Sequence, residues 1–194
     1  MKYCSACGAA VRLRIPPGDN RERHVCDACG TIHYLNPKVV TGCVATWEDR
    51  VLLCRRAIEP RYGLWTLPAG FMENRESSVE GAAREALEEA NAVIDGLTLY
   101  GIYNLIHISQ VYIMFRGTVR DGRASAGEES LEVALFEERD IPWGELAFTV
   151  VEETLRRFFE ERRAGRFSVH GADIVRLPDG SVDIRRHPAL PLAL

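Results

Sequence analysis

Near the start of the chain Cys4, Cys7, Cys26 and Cys29 form two C-x2-C pairs with 18 residues between them. This spacing suits a four-thiolate zinc ribbon. Each two-residue gap lets both thiolates face one ion from a tight turn, and Gly8 and Gly30 follow the second cysteine, where the turn needs backbone angles that other residues resist. Four thiolates leave no open coordination position, so the ion is expected to be structural zinc, replacing a core that about 35 residues cannot build alone. The alternative is a pair of disulfides, which needs an oxidising compartment. The first ten residues hold two cysteines where an export signal needs an apolar run. No stretch approaches the roughly 20 apolar residues of a membrane helix. The expectation is a soluble, cytoplasmic protein with no membrane partner.

The 194 residues fit one domain plus an appendage. A net charge of −4 disfavours electrostatic capture of nucleic acid. Residues 1–38 hold six Lys and Arg against three Asp and Glu, whereas the remainder holds 18 against 25. Arg12, Arg14, Arg21, Arg23 and His24 could form a phosphate-contacting face, but a zinc tetrathiolate carries about −2 and offsets most of that charge. Nucleic acid is therefore not the expected partner. Cys43 and Cys54 lie in apolar runs and are expected to be buried thiols.

After Asn36-Pro37, Lys38–Trp47 and Arg50–Arg56 are β-rich runs around Glu48-Asp49, which predicts a hairpin. Residues 60–75 carry Pro60, Gly63, Pro68 and Gly70 among aromatics, the composition of a shaped, functional loop. Ser77 followed by Glu80 has the form of a capping box, and apolar residues at helical spacing run to Asn91, predicting a helix over 78–90. Strands are predicted at Leu97–Ile108, Gln110–Val119 and Leu131–Phe136, and a second helix at Phe148–Arg163, with Val150, Val151, Leu155, Phe158 and Phe159 on one face. The tail from Asp173 to Arg186 brackets Pro178-Asp179-Gly180 and predicts a terminal hairpin.

On the first helix Glu85, Glu88 and Glu89 fall within an arc of roughly 100° and are expected to lie diametrically away from the alanine-rich face around Ala86 and Ala90. Glu85 and Glu89 repel at i,i+4, and the macrodipole disfavours anions at this helix end. Solvated glutamates tolerate such penalties, but here Glu76 and Arg84 stand close by and a Gly- and Pro-shaped loop ends at Gly70. Carboxylates, a backbone carbonyl and an orienting guanidinium can then converge, a set suited to Mg²⁺ or Mn²⁺.

The stretch from Gly70 to Ala92, GFMENRESSVEGAAREALEEANA, resembles the Nudix box, G-x5-E-x7-R-E-U-x-E-E-x-G-U. Eight of nine specified positions match when Ala86 and Ala92 stand for U. The departure is Asn91 in place of glycine, and Asn enters the left-handed region more readily than most residues. VLLCRR (Val51–Arg56), GLWTLPAG (Gly63–Gly70) and GEESLE (Gly127–Glu132) extend the likeness, and the whole plan is similar to plant-type FAD and ADP-ribose pyrophosphatases and their bacterial relatives. The resemblance implies an α+β fold, a Nudix α/β/α sandwich with a mixed sheet over 36–165, preceded by the ribbon at 1–35 and followed by a tail at 166–194.

It further implies a metal-dependent enzyme that hydrolyses an ADP-linked pyrophosphate and releases AMP. By resemblance Glu85, Glu88 and Glu89 bind the catalytic Mg²⁺ or Mn²⁺ with the Ala69 carbonyl beside Gly70, Glu76 and Arg84 hold that constellation, and Arg56 contacts phosphate. Glu89, Glu129 and Glu132 are the candidates for the general base. Tyr62, Trp65 and Phe71 lie where an adenine could stack, though ordinary packing explains each equally well. Zinc-ribbon NADH pyrophosphatases share the plan but carry S-Q-P-W-P-F-P after the box, whereas here Ser109-Gln110 continues as VYIMF. A non-catalytic nucleotide or nucleic-acid sensor is the alternative from another class. A homodimer is expected from related enzymes.

Overall fold

The computed structural model describes residues 1–188, together with the backbone of Leu190 and Pro191. Two compact units meet between Pro37 and Lys38. In the first, strands β1 (Val11–Arg14), β2 (Arg23–Cys26) and β3 (Ile32–His33) form an antiparallel sheet. The same turn occurs twice: the Gly8 amide bonds the Cys4 carbonyl and the Gly30 amide bonds the Cys26 carbonyl, each at 2.9 Å. Both glycines have φ near +75°, where a side chain would be strained. Cys4 and Cys26 are buried, while Cys7 and Cys29 are exposed.

The second unit begins with the predicted hairpin, β4 (Lys38–Trp47) and β5 (Arg50–Arg56), turned at Glu48 with φ 52°. Two short strands follow, β6 (Trp65–Thr66) and β7 (Ala69–Phe71), and then helix α1 (Ser78–Ala90). Both hydrogen bonds of the Ser77–Glu80 capping box are present, and Asn91 closes the helix in the left-handed region. Strands β8 (Ile94–Leu105), β9 (Gln110–Val119) and β10 (Ser130–Phe136) precede helix α2 (Thr149–Ala164), which Phe148 precedes as N-cap. Strands β11 (Ser168–Arg176) and β12 (Val182–Arg186) form the predicted terminal hairpin. A two-residue strand β13 (Leu190–Pro191) pairs with the start of β11.

The main sheet runs β10-β5-β4-β9-β8-β11-β12, with β6 on β5 and β7 on β4. It is mixed, because β4 with β9 and β8 with β11 are parallel while the other pairs are antiparallel. Successive strand residues face opposite sides, and the two cores follow that alternation. Cys43, Ala45, Leu52 and Cys54 pack with Ala82, Ala86 and Ala90 of α1. Val44, Val51 and Leu53 pack with Val151, Leu155, Phe158 and Phe159 of α2. The result is an α/β/α sandwich, as expected. Burying a leucine such as Leu53 or Leu155 contributes about 1.5–3 kcal/mol.

Other bounds shift by a residue, and the larger differences from expectation lie in β8 and the terminal hairpin. Strand β8 starts three residues earlier, at Ile94. It also ends at Leu105, because Ile106–Ile108 coil into a 3₁₀ turn closed by Ser109 with φ 52°. The terminal hairpin joins the main sheet: β11 extends β8 in parallel, and Ala172 and Ile174 enter the α2-side core. Among the described residues no helix is long and apolar enough to cross a membrane.

Candidate active site

The carboxylates do not oppose the alanine face as expected. Glu85 and Glu89 are buried, 8% and 5% exposed, and they flank the alanine face of α1 instead of opposing it. Glu88 alone of the three is exposed. At about 100° per residue Glu89 lies roughly 60° from Ala86 and roughly 20° from Ala82, so helix geometry itself sets it beside the alanine face, and β7 then covers that flank. The Cys43 amide bonds the Pro68 carbonyl and the Met72 amide bonds the Val39 carbonyl, so the bonded pairs of this ladder fall at 43/68, 41/70 and 39/72. Ala69 stands opposite Gly42 in a pair that exchanges no bonds, and its amide and carbonyl both turn away from β4. That amide donates to Glu89 Oε2 at 3.1 Å. At Gly70 a Cβ would collide with the Glu85 carboxylate, so glycine is what allows β7 to lie over the helix.

Arg84 joins the acidic groups. Its Nε and Nη2 bond the two Glu76 oxygens at 3.0 and 2.9 Å, Nη1 reaches Glu85 at 2.7 Å and Glu88 at 2.8 Å, and Nη2 also meets the Phe71 carbonyl. The Arg84 guanidinium, helped by the Glu73 amide, pulls Glu76 down to about 2. Burial pushes Glu89 up to about 8; Glu85 and Glu129 add to the rise, and the Ala69 amide and Arg56 oppose it. Burial also raises Glu85, against the pull of Arg84. These carboxylates are crowded and poorly hydrated, and a cation would relieve them.

The helix faces a cavity of about 1180 Å³ whose wall includes Glu85, Glu88, Glu89, Arg56, Glu129 and Phe148. Arg56 is buried, its Nε donates to the Pro60 carbonyl at 2.9 Å, and its guanidinium lies 5.2 Å from the centre of the Phe148 ring. Of the expected site residues, Arg84, Ala69 and Gly70 also line this cavity, while Glu76 stands behind Arg84. Glu132 does not line it and instead pairs with Arg55 at 3.7 Å. Among the aromatic candidates Phe71 lines the cavity, Tyr62 is exposed outside it, and Trp65 is buried edge-on against Phe136 in the core. The wall also includes Phe148 and Tyr112, which sequence reading missed. Phe148 precedes α2 and meets Arg56 from 92 positions away, so no local pattern marks it.

In the first unit the four Sγ atoms of Cys4, Cys7, Cys26 and Cys29 lie within 4.8 Å of one another. The Cys7–Cys26 and Cys4–Cys29 separations of 3.5 and 3.7 Å far exceed a disulfide bond of about 2.05 Å, so these are four thiols. Among the described residues they are the one His/Cys/Asp/Glu group gathered closely enough to surround a single ion, and the donor set fits zinc. Arg12 and Arg14 pair with Asp27, and Arg23 pairs with Asp19, so much of the basic face is neutralised within the unit.

Comparison with known proteins agrees with this architecture. The family model of the NUDIX domain matches residues 36–161, and that of the zinc ribbon described as Nudix N-terminal matches residues 2–35. The chain belongs to the Nudix family and is a Nudix pyrophosphohydrolase with an N-terminal zinc ribbon. A crystal structure of a NUDIX hydrolase from Nitrosomonas europaea is 54% identical, with a TM-score of 0.83 over 89% of this chain and 99% of that one. An ADP-ribose pyrophosphatase from Methanocaldococcus jannaschii is 30% identical over 121 residues, 59% of this chain and 69% of that protein. An NAD-capped RNA hydrolase NudC from Photobacterium profundum is 26% identical over 162 residues, covering 79% of this chain but 58% of the relative.

Proposed function

We propose that this chain hydrolyses the pyrophosphate bond of an ADP-linked nucleotide, ADP-ribose or FAD, and releases AMP. The observation that carries this reading is that Glu85, Glu88 and Glu89 line one cavity together with the buried Arg56. In this reading Glu85, Glu88, Glu89 and the Ala69 carbonyl hold Mg²⁺ or Mn²⁺, a choice supported by an all-oxygen donor set. When bound, the ion supplies charge neutralisation at the diphosphate and a lower pKa for the attacking water.

The protein groups do the rest. Arg84, anchored by Glu76, orients the Glu85 and Glu88 carboxylates, and Arg56 binds a phosphate oxygen. Phe148, Tyr112 and Phe71 offer apolar faces to the base. Glu129 accepts the proton that water loses as its oxygen attacks phosphorus; it is preferred to Glu132 because it lines the cavity. The phosphoanhydride bond breaks, and AMP leaves together with ribose phosphate or FMN.

A second reading is hydrolysis of NADH or an NAD cap, supported by the 162-residue match to NudC. The VYIMF run after Ser109-Gln110 favours the first. ADP-ribose, FAD, NADH, diadenosine polyphosphates and nucleoside triphosphates should be assayed with Mg²⁺ or Mn²⁺ for AMP or phosphate release. ADP-ribose or FAD should be the preferred substrate, and Glu88→Gln should lower turnover at least about 100-fold while the far-UV spectrum stays unchanged. Tight binding of one nucleotide with no turnover of any would instead mark a sensor, and full activity in Glu88→Gln would refute the assigned site.

A further inference from the structure

The box position at which this chain carries Asn91 in place of glycine has a use that a helix cap does not require. Glycine would serve the left-handed cap equally well. The Asn91 side chain instead reaches another segment: Nδ2 donates to the Ser125 carbonyl at 3.2 Å, the Ser125 hydroxyl at 3.2 Å and the Ala126 carbonyl at 3.1 Å. The same segment also bonds the end of α1. The Ser125 amide donates to the Ala90 carbonyl at 2.9 Å and the Gly127 amide donates to the Glu89 carbonyl at 3.0 Å. Gly127 lies so close that a Cβ there would overlap the Glu88 carbonyl oxygen. Two residues later comes Glu129, whose carbonyl accepts the Ala57 amide at 2.8 Å.

We infer that Asn91 is a positioning residue that ties the 125–127 loop to the last turn of the carboxylate helix and so fixes Glu129 relative to Glu85 and Glu89. The inference rests on the proposed role of Glu129 in the hydrolysis. The geometry supports it independently of that role, because the two N–H protons of the Asn91 amide, shared among three acceptors, and two backbone bonds join the loop to the helix that carries the acidic groups. An exposed loop holding a reactive group needs such a tether, since misplacement by about 1 Å can cost 100-fold in rate.

Asn91→Gly removes the tether and keeps the left-handed cap, so the helix and fold should persist. Amide exchange at Ser125 and Gly127 should speed up about tenfold or more in the metal-free protein, while the Ala92 amide, bonded to Ala86, keeps its protection. Asn91→Asp, which retains the left-handed preference but lacks the donors, should loosen the same amides. With the substrate found above, Asn91→Gly should lower kcat about tenfold with KM changed less than twofold. In a Glu129→Gln background the same substitution should have little further effect. Unchanged loop exchange in both variants would overturn the tether. Faster exchange with unchanged kcat, or equal losses in the two backgrounds, would overturn the positioning role. Absence of turnover in the unmodified protein would instead count against the hydrolytic reading, while the exchange result still decides the tether.

Discussion

Glu89 shows how much of the site is set by burial. Its carboxyl is pushed from an ordinary 4.5 up to about 8, first by loss of water and then by Glu85. The native state therefore holds this proton more tightly than the unfolded chain. Between about pH 4.5 and 8 the native state binds more protons, and stability falls as pH rises across that window. Thermal melts without added divalent ion should record this fall, Glu89→Gln should flatten it, and equal slopes in the two proteins would show that the residue is better hydrated than its surroundings indicate. The residue types of the candidate site were legible: Glu85, Glu88, Glu89, Arg84 and Glu76 stand at box positions, and the capping box marks the start of the helix that carries all of them but Glu76. Their burial was not legible. Helix periodicity sets Glu89 beside the alanine face, but the covering strand β7 and the non-bonded pairing of Ala69 with Gly42, which presents an amide to Glu89, exist only in the sheet. Arg56 was legible as a candidate for the site and does line the cavity, whereas its Phe148 neighbour required the fold.

Helices, strands and turns were mostly readable because local signals agreed with one another. Ser77, Glu80 and Asn91 bound α1 at both ends, and Pro178-Asp179-Gly180 marks the turn between β11 and β12. Where an element docks depends on contacts that no local window contains. The terminal hairpin illustrates the point: β11 pairs in parallel with β8, and Arg186 of β12 reaches the buried Glu153 of α2 with two bonds of 2.8 Å. Arg157 also bonds Glu153 at 3.2 Å, and together the two guanidinium groups hold that carboxyl below its usual range despite burial. A chain ending at Phe167 loses Ala172 and Ile174 from the core and leaves the 12-residue β8 as an open edge. It should aggregate on gel filtration or melt at least about 10 °C lower. An unchanged melting temperature would show that the hairpin is dispensable.

At the scale of the whole molecule, two units depend on different sources of stability. Residues 38 onward have a layered apolar core on both sides of their sheet. Residues 1–37 have three short strands and four thiols gathered within 4.8 Å, so metal ligation must supply what burial does not. Removing zinc with a strong chelator and then resupplying Mg²⁺ should abolish amide protection in residues 1–37 and leave β4, β5 and β9 protected. Persisting protection in the first unit would point to a stabiliser other than zinc.

The sheet order also bears on biosynthesis. Strand β8 borders β9 on one side, but its partner on the other side is β11, which lies more than 60 residues downstream. A nascent polypeptide can therefore complete its hairpins and seat α1 while β8 still lacks one neighbour. Closure must wait until residues 168–176 have emerged from the ribosome. During that interval the exposed ladder is open to pairing with another growing chain, and a chaperone that shields it would raise the yield of native enzyme.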